Sequence, residues 1–333
     1  MRARAEVMKV KEKHKKQLLT KSNVIGVGTG YKSRNGRRGE LCVVALVSQK
    51  VPRAGLAEDD LVPREIDGVS TDVVQVGNIR AHPARTDRWR PALGGVSIGH
   101  EDVTAGTLGV VVRDRASGGR LILSNNHVLA NSNKAEIGDS ILQPGRADGG
   151  MIANDVFATL LRACPIAFTS GPPTCRWASA YAALGNAVAR LTGSKHRVEA
   201  TWSDPQAVNL VDAAVAQPLH DQDVLDEIYE IGAIKGTMSA ELGMNVRKSG
   251  RTTGLTTGQI IVLDATIKVQ YGAQTAQFED QIVSTAMSQP GDSGSLLVAG
   301  EALLAVGLLF AGSDQATIFN PIDAVLDCLD VEL

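Results

Sequence analysis

The chain has 333 residues, of which 44% are apolar, 21% charged and only 4% aromatic, with a net charge of −2 at pH 7. This composition excludes global disorder and supplies core for one large domain or two to three smaller ones. The near-zero charge gives no overall electrostatic reason to bind nucleic acid or an anionic membrane, and no run of about 18 apolar residues is present to cross one.

The start, "MRARAEVMKVKEKHKKQLL", is charged and lacks the apolar stretch of a secretory signal, so a cytoplasmic location is expected. Residues 5 to 20 read as a charged helix, with Lys9 to Lys16 a solvated face. "VIGVGTGYK" and "ELCVVALVSQK" read as two strands joined by a hairpin turn at Asn35-Gly36. The "GVGTG" run is not a phosphate loop, because Tyr31 stands where the last glycine is needed and a strand surrounds it. A short acidic helix near Ala57 to Leu61 and a third strand, "TDVVQVG", complete a small α/β domain over residues 1–78. Residues 79–93 carry two prolines, four arginines and no periodicity, which reads as a linker; a docking strap anchored by Trp89 is the alternative.

From Gly94 the pattern changes to short apolar runs with turn signals, among them "TLGVVVRD", "RLILSNNHV", "DVFATLL" and "NLVDAAVAQ". A second set follows from about residue 228, including "NVRKSGRTTG", "GQIIVLDATIKVQ", "FEDQIVSTA" and "GSLLVAGEALLAVGLLFAG". Two sets of about six strands predict a mainly β domain over residues 94–333 with two six-stranded antiparallel barrels. An insertion near 174–193 places Trp177, Tyr181, Leu184, Val188 and Leu191 at helical steps. It is expected to pack on the barrel, with a self-association surface of a homo-oligomer, or a gating surface, as the alternative. "PIDAVLDCLDVEL" reads as a closing helix. The four cysteines, Cys42, Cys164, Cys175 and Cys328, form no metal-binding pattern and are expected to be reduced and mostly buried; only Cys164 and Cys175 are close enough for a local bridge. No metal site or cofactor is expected.

The chemistry is suggested by "SQPGDSGSLL", Ser288 to Leu297, where Ser293 sits in a glycine-rich turn before an apolar run. A serine nucleophile needs a base, an orienter for that base, and donors for an oxyanion. Of the six histidines (His14, His82, His100, His127, His196 and His220), only His127 ends an apolar strand, "RLILSNNHVLA". Asp212, in "VNLVDAAVAQ", is bracketed by Val and Ala, where a carboxylate must find a partner. The order His127, Asp212, Ser293, with roughly 80 residues between successive members, is the order of two-barrel serine proteases.

These segments resemble those of the trypsin-like, chymotrypsin-fold serine peptidases. "GDSGS" is similar to their nucleophile loop, "LSNNHVL" to the histidine segment of bacterial and HtrA-type enzymes, "VDAAVA" to the aspartate segment, and "SGRTTG" to a stretch of the α-lytic group. The wider pattern, with the small N-terminal domain, resembles the plant narrow-leaf-type trypsin-like proteins and their bacterial relatives. The resemblance implies a serine endopeptidase with a His127–Asp212–Ser293 triad, acting on protein or peptide substrates. It places the oxyanion hole at the N–H groups of Gly291 and Ser293, and it nominates Arg251 as the ion-pair partner of Asp292. It also places the base of the substrate pocket near Met287 and a wall near Phe310, Ala311 and Gly312, which implies uncharged, apolar residues of small to medium size at the cleaved position. A catalytically silent or gated scaffold of the same fold is the alternative. The N-terminal domain resembles in outline the propeptides that cap some bacterial proteases; an inhibitory or assembly role, or an ordinary appended domain, stays open.

Overall fold

The computed structural model describes residues 4–34, 37–77 and 83–333. The chain divides into two units, Met1–His82 and Pro83–Leu333. Among the described residues no helix is long and apolar enough to cross a membrane.

In the first unit, helix Arg4–Leu19 buries Val7 and Leu18 against Val43 and Val69 of the sheet. Strands Val24–Arg34 and Arg37–Val47 pair antiparallel, and Val69–Gln75 lies parallel to the second of them. "GVGTG" lies within the first strand. The acidic run near Ala57 is one short turn of 3-10 helix, Glu58–Asp60. The Asn35-Gly36 turn falls outside the described residues.

The second unit is built on two sheets. One has eight strands and forms a half-barrel that includes Val110–Asp114, Arg120–Ser124, Ala214–Pro218 and Val156–Ala163. In the other, six strands close into a ring, because Gln274–Thr285 pairs with both Gly254–Tyr271 and Ala316–Pro321. The half-barrel has its own core around Val96, Ile98, Leu108, Ile141 and Phe157. A shared core joins it to the ring, with Leu121, Leu123 and Val215 against Leu296, Val298 and Leu308. The sheets therefore hold a fixed relation, and the loops at their junction can carry a preorganised site.

Three expectations are corrected here. Of the stretch read as a linker, residues 79–82 lie outside the described residues, but Pro83 onward belongs to the second unit as a strap. Trp89 donates its backbone N–H to Gln143 at 2.8 Å and its ring N–H to Ala84 at 2.9 Å, and its ring lies 5.3 Å from that of Tyr229. Arg85 donates to Ser249 at 2.6 Å and pairs with Glu230. Such contacts rest on long polar side chains and leave no periodic signature. The inserted helix, Arg176–Leu191, does not bury its apolar stripe: Tyr181 is 74% and Leu191 87% exposed. Its Ser179, Ala182, Ala183 and Asn186 side lines a groove with Pro172 and Val198 instead. Asn186 fastens it there with two hydrogen bonds to the Val198 backbone, at 2.9 and 2.8 Å.

The third correction concerns the cysteines. Cys164 and Cys328 form a disulfide, while Cys42 is free and buried and Cys175 free and exposed. The closing helix, Ile322–Leu329, packs Val325, Leu326 and Leu329 into the shared core, and this brings Cys328 to Cys164 across 164 residues of sequence. Disulfides form and persist in oxidising compartments. The expected cytoplasmic location therefore gains no support from the cysteines.

Candidate active site

Strand Arg120–Ser124 runs into the short helix Asn126–Leu129, which buries Val128 and Leu129 and leaves His127 half-buried at the junction of the sheets. The two asparagines before it pin this corner. Asn125 donates to the Asp212 carbonyl at 2.7 Å and Asn126 to the Cys164 carbonyl at 2.8 Å.

Asp212 stands just ahead of strand Ala214–Pro218 and is fully buried. Its N–H donates to Asn320 at 3.0 Å, and Asn320 in turn donates to Gln281 at 2.7 Å. A buried carboxylate is tolerable only when its oxygens are satisfied. Here Oδ1 accepts the His127 backbone N–H at 3.1 Å. Oδ2 faces His127 Nδ1 at 2.5 Å and accepts the Tyr271 hydroxyl at 2.7 Å. Desolvation, and then the adjacent Asp212 charge, push the Tyr271 phenol far above its ordinary value, so it stays a donor.

Ser293 precedes strand Leu296–Ala299 of the ring. Its carbonyl accepts the Thr107 N–H at 2.8 Å, and Gly106 packs between that carbonyl and Val128, the neighbour of His127. The serine turn and the histidine helix are thus assembled on one short strand, Gly106–Thr107. Among the described residues no hydrogen bond joins the Ser293 hydroxyl to His127; such bonds are often long without substrate and tighten when it binds.

The turn itself needs glycine. Gly291 has φ +98°, and a Cβ there would lie 2.5 Å from Thr252 Oγ1; at Gly294, φ +95°, a Cβ would collide with Ser124 and the Thr107 carbonyl. Thr107 Oγ1 donates to the Gly291 carbonyl at 2.8 Å, and Ser295 Oγ donates to the Asp292 carbonyl at 2.5 Å. Among the described residues, the N–H groups of Gly291 and Ser293 have no acceptor in the chain, whereas those of Asp292, Gly294 and Ser295 do.

The ion pair expected between Arg251 and Asp292 is not made. Arg251 turns the other way and forks onto Asp148, with Nε 2.6 Å from Oδ2. Asp292 meets Lys248, whose Nζ lies 3.2 Å from Oδ2, both side chains being fully buried. The reason is register. In strand Asn245–Gly250, Lys248 shares the inward face with Val246, while Arg251 lies beyond the strand. The rest of the Asp292 carboxylate is filled by the N–H groups of Thr252, Thr253 and Gln289 and by the Thr253 hydroxyl. Burial alone would raise Asp292, but Lys248 and these donors outweigh it and hold the carboxyl below its ordinary range. Burial in turn pulls Lys248 down from its usual value.

Of the residues nominated for a substrate pocket, Met287 and Gly312 meet at Thr317. Its hydroxyl accepts the Met287 N–H at 3.0 Å and lies 2.9 Å from Ser288 Oγ, and Gly312 pairs with Thr317 across the sheet. Met287 is buried in the ring core, and Phe310 packs on Phe278 with ring centroids 4.7 Å apart, next to Ala311. Among the described residues no group of His, Cys, Asp and Glu is arranged to hold a metal ion.

Sequence reasoning missed Thr107, Asp148, Lys248 and Tyr271. For Lys248 the signal was present in the alternation "NVRKSG", which puts it on the buried face with Val246. Thr107 and Tyr271 act through long-range contacts that no local pattern records.

No protein-family profile matches the chain. It is 25% identical to streptogrisin-A of Streptomyces griseus over 248 residues, covering 67% of this chain and 78% of that protein. It is 33% identical to streptogrisin-D of the same organism over 106 residues, covering 30% of this chain and 26% of the relative. Serine protease 2 of Streptomyces fradiae is 40% identical over 80 residues, 24% of this chain and 43% of that one. The matches to streptogrisin-D and serine protease 2 thus span less than half of those relatives. Among solved structures, Nocardiopsis protease (NAPase) aligns with a TM-score of 0.46 at 16% identity, over 72% of this chain and 97% of that one. The second unit is mainly β, a half-barrel sheet joined through a shared core to a ring of six strands. In this unit the histidine stands on the half-barrel and the serine on the ring, and the aspartate, just ahead of strand Ala214–Pro218, bonds the histidine.

Proposed function

We propose that the chain is a serine endopeptidase in which His127, Asp212 and Ser293 form the catalytic triad. The observation that carries this reading is the double hold of Asp212 on His127, through Nδ1 at 2.5 Å and through the backbone N–H at 3.1 Å. A proton on Nδ1 leaves Nε2 as the free base, directed away from the carboxylate.

His127 takes the Ser293 proton as Oγ attacks the peptide carbonyl. Asp212 holds the tautomer and stabilises the imidazolium. The carbonyl oxygen, now an anion, is received by the Gly291 and Ser293 N–H groups, which lack acceptors within the described chain. His127 then protonates the leaving amine, and water activated by the same histidine releases the acyl group. The buried Lys248–Asp292 pair holds the serine turn without any new N-terminal amine. A pocket bounded by the apolar Met287 and Phe310 would suit uncharged residues of small to medium size at the cleaved position.

The test is hydrolysis of a peptide library by the full chain. Cleavage after uncharged apolar residues is expected, falling roughly 10⁴-fold or more in Ser293→Ala and His127→Ala. Folded wild-type protein that cleaves nothing would favour a silent scaffold, and variants that cleave as well as wild type would rule out this triad.

A further inference from the structure

We propose that Tyr271 is a positioning residue of the triad, which holds Asp212 from the tip of a long hairpin and tunes the basicity of His127. The inference rests on the triad reading above.

Strands Gly254–Tyr271 and Gln274–Thr285 form this hairpin, with Tyr271 paired to Gln274 at its tip. The ladder shifts register three times between Ile260 and Ile267, and Asp264 and Asp280 take up left-handed backbone angles near these shifts. Such bulges bend and twist a ribbon. The segment leading to Asp212 is laid along the same hairpin: the Asn209 N–H donates to the Gln277 carbonyl at 2.9 Å, and Gln281 donates to the Leu210 carbonyl at 2.8 Å.

The ring of Tyr271 is fixed by its packing. Phe168 lies 5.9 Å and Phe278 6.2 Å away between centroids, and Phe278 in turn packs on Phe310. The imidazole of His127 meets the ring edge-on at 5.8 Å. Tyr271 therefore touches both the orienter and the base. Its hydroxyl and His127 Nδ1 share one carboxylate oxygen, Oδ2. The remaining partners of Asp212, Asn125 and Asn320, are uncharged. Among the described residues His127 and Tyr271 are thus the titratable groups bonded to this carboxylate.

The chemical consequence has a definite sign. A hydrogen bond from Tyr271 withdraws negative charge from Oδ2 and weakens its stabilisation of the imidazolium. It also removes one rotational freedom of the carboxylate. Without the hydroxyl, Asp212 is looser but carries more charge towards His127. The rate should fall and the acid limb of the pH profile should move up.

The experiment uses the full chain and the second-order rate of Ser293 modification by a fluorophosphonate, measured across pH. Tyr271→Phe keeps the packing and removes the donor; a roughly ten- to hundred-fold slower reaction is expected, as for loss of one hydrogen bond to a charged group. The acid limb should move up by about half a unit or more. A fluorinated tyrosine incorporated at position 271 keeps the shape but donates more strongly, and should move the limb down. An unmoved limb in both variants overturns the proposal, whatever happens to the rate, because a merely structural loss changes the active fraction and not the titration. Wild-type protein that fails to react at Ser293 overturns the triad reading and this proposal together.

Discussion

Lys248, and not Arg251, is the cation that meets Asp292: its Nζ lies 3.2 Å from Oδ2, and neither side chain is exposed. Removing one member of a buried pair costs about 3–5 kcal/mol, because the other charge is left uncompensated. Lys248→Met should therefore lose about that much stability by urea denaturation and lose serine reactivity with it. Lys248→Met combined with Asp292→Asn should recover part of the stability, since a neutral amide needs no cation while its oxygen can still accept the Thr252 and Thr253 N–H groups. Arg251→Gln should cost less, about 1–3 kcal/mol, because Ser97 still donates to Asp148. Equal losses in the Lys248 and Arg251 variants would contradict the assignment.

The same pair sets an acid limit. Asp292 has a folded-state value below its ordinary one, so its contribution to stability is present above about pH 4 and is lost as pH falls through the lower, folded value. Lys248 is protonated in both states at such pH and does not oppose this. Serine reactivity should disappear with the acid transition in wild type, and Asp292→Asn should be less stable at pH 7 but show a flatter stability curve below pH 4 or so. Parallel curves for the two proteins would contradict this.

Thr107 ties the half-barrel to the ring with three hydrogen bonds, two of them to the serine turn. Its N–H donates to the Ser293 carbonyl at 2.8 Å, its hydroxyl donates to the Gly291 carbonyl at 2.8 Å, and the same hydroxyl accepts the Arg251 N–H at 3.0 Å. Thr107→Val keeps the shape and strips the hydroxyl from a fully buried site. A loss of about 1–3 kcal/mol is expected. Peptide turnover should fall more than stability alone explains, because the Gly291–Asp292 peptide that Thr107 holds lies between the two N–H donors of the proposed oxyanion hole. Turnover per folded molecule equal to wild type would count against that role.

The Cys164–Cys328 bridge closes the closing helix onto the shared core. Reduction should lower stability by about 2–5 kcal/mol. A melt with and without reductant should differ for wild type and coincide for the Cys164→Ser/Cys328→Ser double variant. Identical melts for wild type under both conditions would contradict the bridge.

Much of this architecture was legible because apolar alternation and turn residues act locally. The run "RLILSNNHV" contains both the strand and the corner that carry His127, and "GSLLVAG" contains the strand behind Ser293. Asp212 was legible because apolar neighbours on both sides make a carboxylate conspicuous. What was not legible depends on distance in space. The partner of Asp292 turns on which face of one strand Lys248 occupies, and the role of Tyr271 turns on how three bulges bend a hairpin. The exposed stripe of Arg176–Leu191 was misread because periodicity shows that a helix has an apolar face, and not what that face meets.

The central claim is that Ser293 is an activated nucleophile. The most direct measurement is treatment of the intact, folded chain with a fluorophosphonate, followed by peptide mapping of the adduct. The expected result is one phosphonate per chain on Ser293, absent from Ser293→Ala and strongly slowed in His127→Ala. An unlabelled wild-type chain, or an adduct on a different residue, would contradict the account.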